Sequence, residues 1–393
     1  MYRIKGRNQQ YGWGGKTFIP QLLNIQNAEG IPYAEYWLGV HPSAPAIVDL
    51  GNGATTTLLS LVNSDKPGHL GEKVFKTFKS LPFLLKVLDV KDMLSIQVHP
   101  NKQDAEAGFE RENALGIPLD SPNRNYKDAN HKPEVMIALS EFWLLHGFSP
   151  HIKFLLDQFE FLRPFKSIFS DKGIEGLYSH LMQLPQETVD AILGEYLQQI
   201  TIKYETNQLD KSSPDFWAAR ACLNANSKID RGIFSIYLFN LLRLEPGQGI
   251  FQGARMPHAY LEGQNIELMA NSDNVLRAGL TTKYMDIPEL LANTDFVETY
   301  PLILNGILDK DWCNYPCPVK DFGVASLQLK AGSGFEKLIE SPSMLIQLRG
   351  GGSWKSNRVF TSDGFDSFFI DAGEKITFTA TEDSLFFLAT VPN

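Results

Sequence analysis

The sequence predicts a mainly β protein with a helical insertion. Three observations point there. The first ~150 residues are rich in Gly, Pro and short apolar runs, which is strand-and-loop chemistry. From about residue 151 to 228 the apolar spacing turns helical. After about residue 240 strand-and-turn character returns and runs to the end.

The elements follow in order. PFLLKVLDVKDMLSIQVHP reads as two β-like runs joined by a polar VKD turn, and PEVMIAL and FWLLHGF read as further strands. In PQETVDAILGEYLQQI, Val189, Ile192, Leu193, Tyr196, Leu197 and Ile200 form one stripe at helical spacing, with Pro185 or Thr188 at its start. RGIFSIYLFNLLRL predicts a helix passing into a strand before a PGQG turn. MLIQLRGGGSW, DSFFIDAGEKITFTA and SLFFLATV run between Gly and Asp turns. Many short strands at this spacing suggest a jelly roll or barrel. The expected division is a first β unit over 1–150 and 229–300, a helical insertion over 151–228, and a second β-barrel unit over 301–393.

Composition excludes several classes. With 43% hydrophobic and 21% charged residues, a chain of this length buries a large core without staples. Cys222, Cys313 and Cys317 are too few for a disulfide framework and read as structural thiols in a reducing, cytoplasmic compartment. MYRIKGRNQQYGWGG lacks the apolar core of a signal peptide, and no apolar stretch reaches membrane-spanning length. The net charge of −9 and the absence of Lys/Arg blocks argue against nucleic acid. An anionic small molecule would have to be gripped by local cations against the overall field.

Three segments carry chemistry. In SIQVHP, a strand would place Leu94, Ile96 and Val98 on one face and Ser95, Gln97 and His99 on the other. The polar face must look into a cavity, because an unpaired buried polar group costs roughly 2–7 kcal/mol. In HKPE, Pro133 pushes Lys132 to extended geometry. Lys132 and Glu134 then share one side and His131 points to the other. A metal carboxylate beside a substrate-binding cation competes here with a plain surface ion pair. In MPHAYLEGQNIELMANSDNVLRAGLTTKY, Pro257 sets His258 at a strand start with Tyr260 on the same face. The SDN turn reverses the chain. Arg277 then stands between apolar neighbours, either paired with Asp273 or Glu267 or free for an anion. Together His99, His258, Glu134 and Gln97 suit a borderline divalent ion such as Zn²⁺.

YKDANHKPE, SIQVHP and HAYLEGQNIELMANSDNVLRAGLT closely resemble the signature segments of the type I mannose-6-phosphate isomerases. The resemblance covers the whole chain in layout. It implies a cupin-type catalytic barrel, a helical insertion and a C-terminal barrel. It implies one zinc ion per chain held by Gln97, His99, Glu134 and His258, with Arg277 as the catalytic arginine. The implied reaction moves a proton between C1 and C2 of a phosphorylated hexose through an enediol, in a monomer. His131, Lys132, Glu267 and Tyr260 remain alternatives for the acid/base. Ser95, Lys132, Arg277 and Lys283 are candidates for holding hydroxyls or phosphate. Trp13 is expected to wall the sugar cleft or to pack, and His41 to be structural. Thr282 stands where the family has a proline, which loosens the expected loop but removes no functional side chain.

Two rival readings stay open on sequence. An Fe(II) oxygenase of similar fold would leave Gln97 and Arg277 without a role. A non-catalytic sugar-binding barrel would keep a pocket yet need no cation beside the metal.

Overall fold

The structure, a computed structural model, describes residues 1–225 and 228–392. Residues 226–227, inside the expected helical insertion, and residue 393 lie outside the described residues. The spine is the 13-residue strand His258–Ala270. Its second half pairs antiparallel with Phe83–Val90 on one edge and Glu134–Ala138 on the other. Its first half pairs with Phe142–Phe148 and, at His258, with Gln97. Gly263 marks the changeover. Its φ is +130°, and a Cβ there would lie 2.6 Å from the Glu141 carbonyl oxygen. A side chain would force the two strands apart. Phe239–Leu244, Glu35–Leu38 and Arg7–Gln9 complete the longest path of this ten-stranded sheet, from which Gln97–Val98, Glu134–Ala138, Gly249–Gln252 and Leu276–Arg277 branch.

Strand alternation builds two different surfaces from the same strands. Lys86, Leu88 and Val90 share one face of their strand, as do Glu134, Met136 and Ala138 of theirs. The apolar members pack with Phe142, Leu144, Ile250 and Tyr260 into one buried cluster. The charged members lie at the other end of that face, around a cavity. The opposite face, with Leu85, Val87, Val135, Ile137, Ile266 and Leu268, packs against Met344, Ile346, Phe387 and Ala389 of the C-terminal strands.

The helical segment comprises Ile152–Gln158, Lys166–Gln183, Gln186–Glu205 and Pro214–Asn224, with a 3₁₀ turn at Glu160–Phe165. It covers the outward side chains Ile96, Val98, Trp143, Leu145 and Leu261. Each fully buried aliphatic chain here contributes about 1.5–3 kcal/mol. Lys211 and Arg220 add ion pairs to Glu262 on the spine strand. The expected helix-to-strand passage is found as Ile233–Leu238 followed directly by Phe239–Leu244.

The sheet topology corrects the expected division. Tyr2–Lys5, Ile47–Gly51 and Ala54–Thr57 do not belong to the first sheet. They extend the nine-stranded sheet formed by the C-terminal strands, with Tyr2 opposite Phe369. Among the described residues four helices also stand in the stretch read as strands and loops: Phe18–Leu22, Leu58–Ser64, Lys66–Phe78 and Lys102–Ala114. Among the described residues no helix is long and apolar enough to cross a membrane.

Candidate metal centre and active site

One rung of backbone pairing assembles most of the site. Arg277 lies opposite Gln97, Gln97 opposite His258, and His258 opposite His146. Directly opposed residues present their side chains to the same face. Glu134 enters from the strand paired to the far end of the spine. His99 follows two residues after Gln97, fully buried.

His99, Glu134 and His258 bring one ligand atom each within 4.8 Å of one another. The His99 Nε2 atom lies 3.4 Å from Glu134 Oε1, and His258 Nε2 lies 3.4 Å from Glu134 Oε2. The remaining ring nitrogens are anchored to carbonyl oxygens, which only accept. His99 Nδ1 donates to the Asn274 carbonyl at 2.8 Å and His258 Nδ1 to the Met256 carbonyl at 2.9 Å. Both imidazoles therefore turn Nε2 toward the carboxylate. His99 Nε2 has no hydrogen-bond partner of its own. Burial and then the Lys132 charge push the His99 imidazole down to about 4. Burial alone would raise the Glu134 carboxyl, but Lys132 and the two imidazoles hold it well below the usual carboxylate range. Neutral imidazoles and an ionised carboxylate are the forms a divalent metal takes. Two nitrogens, a carboxylate and the Gln97 amide fit zinc.

Cations and carboxylates surround this centre in a cavity of ≈ 60 Å³ lined by Glu35, Lys86, Gln97, Lys132, Glu134, His258, Tyr260 and Glu267, among others. The Lys132 ammonium lies 3.2 Å from Glu134 Oε1. Lys86 bridges Glu267 at 2.9 Å and Glu35 at 3.2 Å. Burial and the nearby Glu134 and Glu35 charges raise the Glu267 carboxyl above its usual range against the pull of Lys86. Burial and the charges of Glu267 and Glu134 also push the Tyr260 phenol well up.

Arg277 stands half-buried beside this cavity. It forms no ion pair or hydrogen bond among the described residues, and burial alone lowers its guanidinium. Both partners considered from sequence are committed elsewhere, Glu267 to Lys86 and Asp273 to His41.

Residues 1–151 match the family model "Phosphomannose isomerase type I, catalytic domain". Over 387 residues, 95% of each chain, the protein is 37% identical to the mannose-6-phosphate isomerase of Escherichia coli strain K12. It is 39% identical over 339 residues, 82% of each chain, to that of Salmonella typhimurium. The chain belongs to the type I mannose-6-phosphate isomerases. A crystal structure of the Salmonella typhimurium mannose 6-phosphate isomerase bound to its substrate fructose 6-phosphate and zinc matches at TM-score 0.87 and 32% identity, covering 100% of both chains.

Not every residue that the isomerase resemblance implied stands at the cavity. The structure gathers Gln97, Glu134, His258, Lys132, Glu267 and Tyr260 around it, with His99 against Glu134 and Arg277 beside it. His131 is turned away, as the alternation across Pro133 requires. Its Nε2 faces Asp321 at 3.1 Å, so it is removed from the acid/base candidates. Trp13 stacks on Tyr11 and packs against the apolar cluster rather than lining the cavity. Ser95 is also absent from the lining. The expected strand face fails at Leu94, which lines the cavity while Ile96 and Val98 pack outward. His41 is held between Asp273 and Ser43, a structural placement. The strand at Arg277 does not continue to Lys283. It spans Leu276–Arg277 and ends at the positive-φ pair Gly279 and Leu280. Lys283 is nevertheless close enough that, after burial, the charges of Arg277 and Lys127 lower its ammonium.

Sequence reasoning missed Lys86 and Glu35. Both carried the signal that singled out Arg277, a charge inside an apolar strand. A larger open cleft of ≈ 570 Å³ is lined by Trp143, Phe216, Lys211 and Arg243 among others. Trp143 belongs to the outward face of its strand, so this cleft lies on the other side of the sheet from the metal cluster.

Proposed function

We propose that this protein interconverts mannose 6-phosphate and fructose 6-phosphate with one zinc ion per chain, held by Gln97, His99, Glu134 and His258. The observation that carries this reading is the buried His99–Glu134–His258 cluster with both Nδ1 atoms anchored, beside an unpaired Arg277, in a chain of this family. When bound, zinc supplies a Lewis acid for the sugar carbonyl and positive charge beside the oxygens on which negative charge develops.

The chain's own groups divide the remaining work. The ≈ 60 Å³ cavity is far below the ~300–1,000 Å³ of a typical ligand pocket. It takes the metal and the reacting C1–C2 end, and leaves the rest of the sugar at the mouth. Arg277, with Lys283 and Lys127 near enough for their charges to act on one another, offers a cationic rim suited to oxygens and phosphate. Glu267 is the best base of the three proton carriers in the cavity. Its raised carboxyl moves toward the working range, and Lys86 fixes its orientation. Tyr260, with its raised phenol, serves as a donor rather than a base. Lys132, tied to Glu134, orients hydroxyls and balances charge. Arg277 is directed at the negative charge of the enediolate.

The finer fold reading belongs to the same proposal: a cupin-type jelly roll, supported by antiparallel strands that flank both edges of His258–Ala270. So does the expectation of a cytoplasmic monomer, for which the three free cysteines are the support on compartment. The test is direct. Purified protein is incubated with mannose 6-phosphate, with and without a chelator, and fructose 6-phosphate is measured. Product that appears only in the metal-loaded sample supports the proposal; none from zinc-stoichiometric protein overturns it.

A further inference from the structure

The SDN turn does more than reverse the chain. Asn274 is fully buried, and its side chain is spent on another loop. Its Oδ1 accepts from the backbone N–H of Lys127 at 2.7 Å and of Asp128 at 3.2 Å. Its Nδ2 donates to the carbonyls of Asp128 at 2.8 Å and Asn130 at 2.9 Å. Neighbours repeat the stitching. Ser272 Oγ donates to the Asn130 carbonyl, the Asp273 N–H to Asp128 Oδ2, and Asn130 Nδ2 to the Asn271 carbonyl. The loop so held runs directly into Lys132 and Glu134. The Asn274 backbone carbonyl meanwhile holds His99 Nδ1, and Arg277 follows three residues on. One residue thus sits where three functional segments meet: 97–99 through its carbonyl, 127–134 through its side chain, and 276–277 just after it in the chain.

We infer that Asn274 is a positioning residue of the isomerase, fixing the 127–130 loop so that Lys132 keeps its placement against Glu134, which its own strand pairing holds. The inference rests on the function proposed above. The amide is matched to its task. Two backbone donors and two backbone acceptors are satisfied by one group that offers both. Truncation would leave buried backbone groups unpaired. A displacement of Lys132 by an ångström is enough to cost activity at a distance.

The test compares zinc-loaded wild type with Asn274→Asp and Asn274→Ala. Aspartate keeps size and the accepting oxygen but sets a carboxylate oxygen against the Asp128 and Asn130 carbonyls. Three readouts are taken well below each variant's Tm: steady-state kinetics, zinc per chain, and amide hydrogen exchange over residues 127–131. The expected result is a kcat lower by ~10–100-fold, the usual scale for loss of an outer-shell partner. Exchange over 127–131 should rise at least ~10-fold, a drop of about 1.4 kcal/mol in local protection. Zinc should stay near one per chain, because the group on His99 is backbone and survives substitution. Wild-type kcat in the folded fraction with only a lower Tm overturns the inference, as does unchanged exchange in the loop. An inactive wild type would instead count against the proposed function, while the exchange and zinc readouts still decide the role of Asn274.

Discussion

Substituting Arg277 should separate activity from stability. The guanidinium is half-buried, cross-strand from Gln97, and without an ion pair or hydrogen bond among the described residues. Breaking a buried pair costs about 3–5 kcal/mol because a charge is left uncompensated. Arg277→Ala leaves none, so its stability should stay within about 1 kcal/mol of wild type. Catalysis should behave otherwise. A fixed group aimed at developing negative charge is commonly worth ~10²–10³ in kcat, or about 2.7–4 kcal/mol. Arg277→Lys keeps the charge but loses the planar fork, and should recover only part of the loss. The assay is steady-state isomerisation at saturating zinc, with thermal unfolding run in parallel. A transition-state role predicts a large fall in kcat with a smaller change in KM. A rise confined to KM would make Arg277 a phosphate anchor. A clear drop in Tm with a normally active folded fraction would refute the reasoning altogether.

His99→Ala and His258→Ala should each remove most bound zinc and activity from a folded protein; metal analysis showing full occupancy in both would end the ligand assignment. Lys132→Met should cut turnover strongly with zinc retained, since the ammonium lies buried at 3.2 Å from Glu134, and near-normal kinetics would reduce it to a structural counter-ion. Acid should destabilise the metal-free protein above the carboxylate range. His99 and His146 are held to about 4 in the fold against ~6.5 unfolded, so the unfolded chain binds more protons between those values and stability falls as pH drops from 6.5 toward 4. Urea midpoints recorded from pH 7 to 5 should decline, less so in His146→Gln, and a flat profile would contradict buried neutral imidazoles.

The parts of the site legible in the sequence were those fixed by short-range alternation. Gln97 and His99 share parity, Pro257 starts the strand at His258, and Pro133 sets Lys132 and Glu134 to one side of His131. These relations survive folding because a strand's period of two is imposed by the backbone. Leu94 broke the pattern because the strand there is only Gln97–Val98. Lys86 and Glu35 each interrupt an apolar run, but their partnership spans strands that meet only in the sheet. The helix Lys66–Phe78 was masked by its glycines, one of which, Gly71, leaves helical geometry at φ 73°. Lys102–Ala114 has too few apolar residues to show a stripe, and is announced only by Asn101 capping Asp104 N–H. Tyr2–Lys5 pairs with Asp366–Ile370 at the other end of the chain, a relation no local pattern encodes.

The charge balance of the cavity links metal to substrate. Three carboxylates, Glu35, Glu134 and Glu267, line it with two ammonium groups, Lys86 and Lys132. Without an ion this small volume carries a net charge of about −1, and burial together with the Glu134 and Glu35 charges raises the Glu267 carboxyl. Such a pocket favours a divalent cation and repels a phosphorylated sugar. With the ion in place the sign reverses, and the rim of Arg277, Lys283 and Lys127 then extends a field of one sign from mouth to floor. Zinc and sugar phosphate should therefore bind with positive coupling, and by linkage each raises affinity for the other. Calorimetry with fructose 6-phosphate on metal-free and zinc-loaded protein measures the coupling. Glu35→Gln, which lowers the negative charge of the apo cavity by one without touching a ligand, should weaken zinc and shrink the penalty for sugar binding to the apoprotein. Equal sugar affinity with and without zinc would show that the rim alone does the binding, and that the buried charges serve only the chemistry.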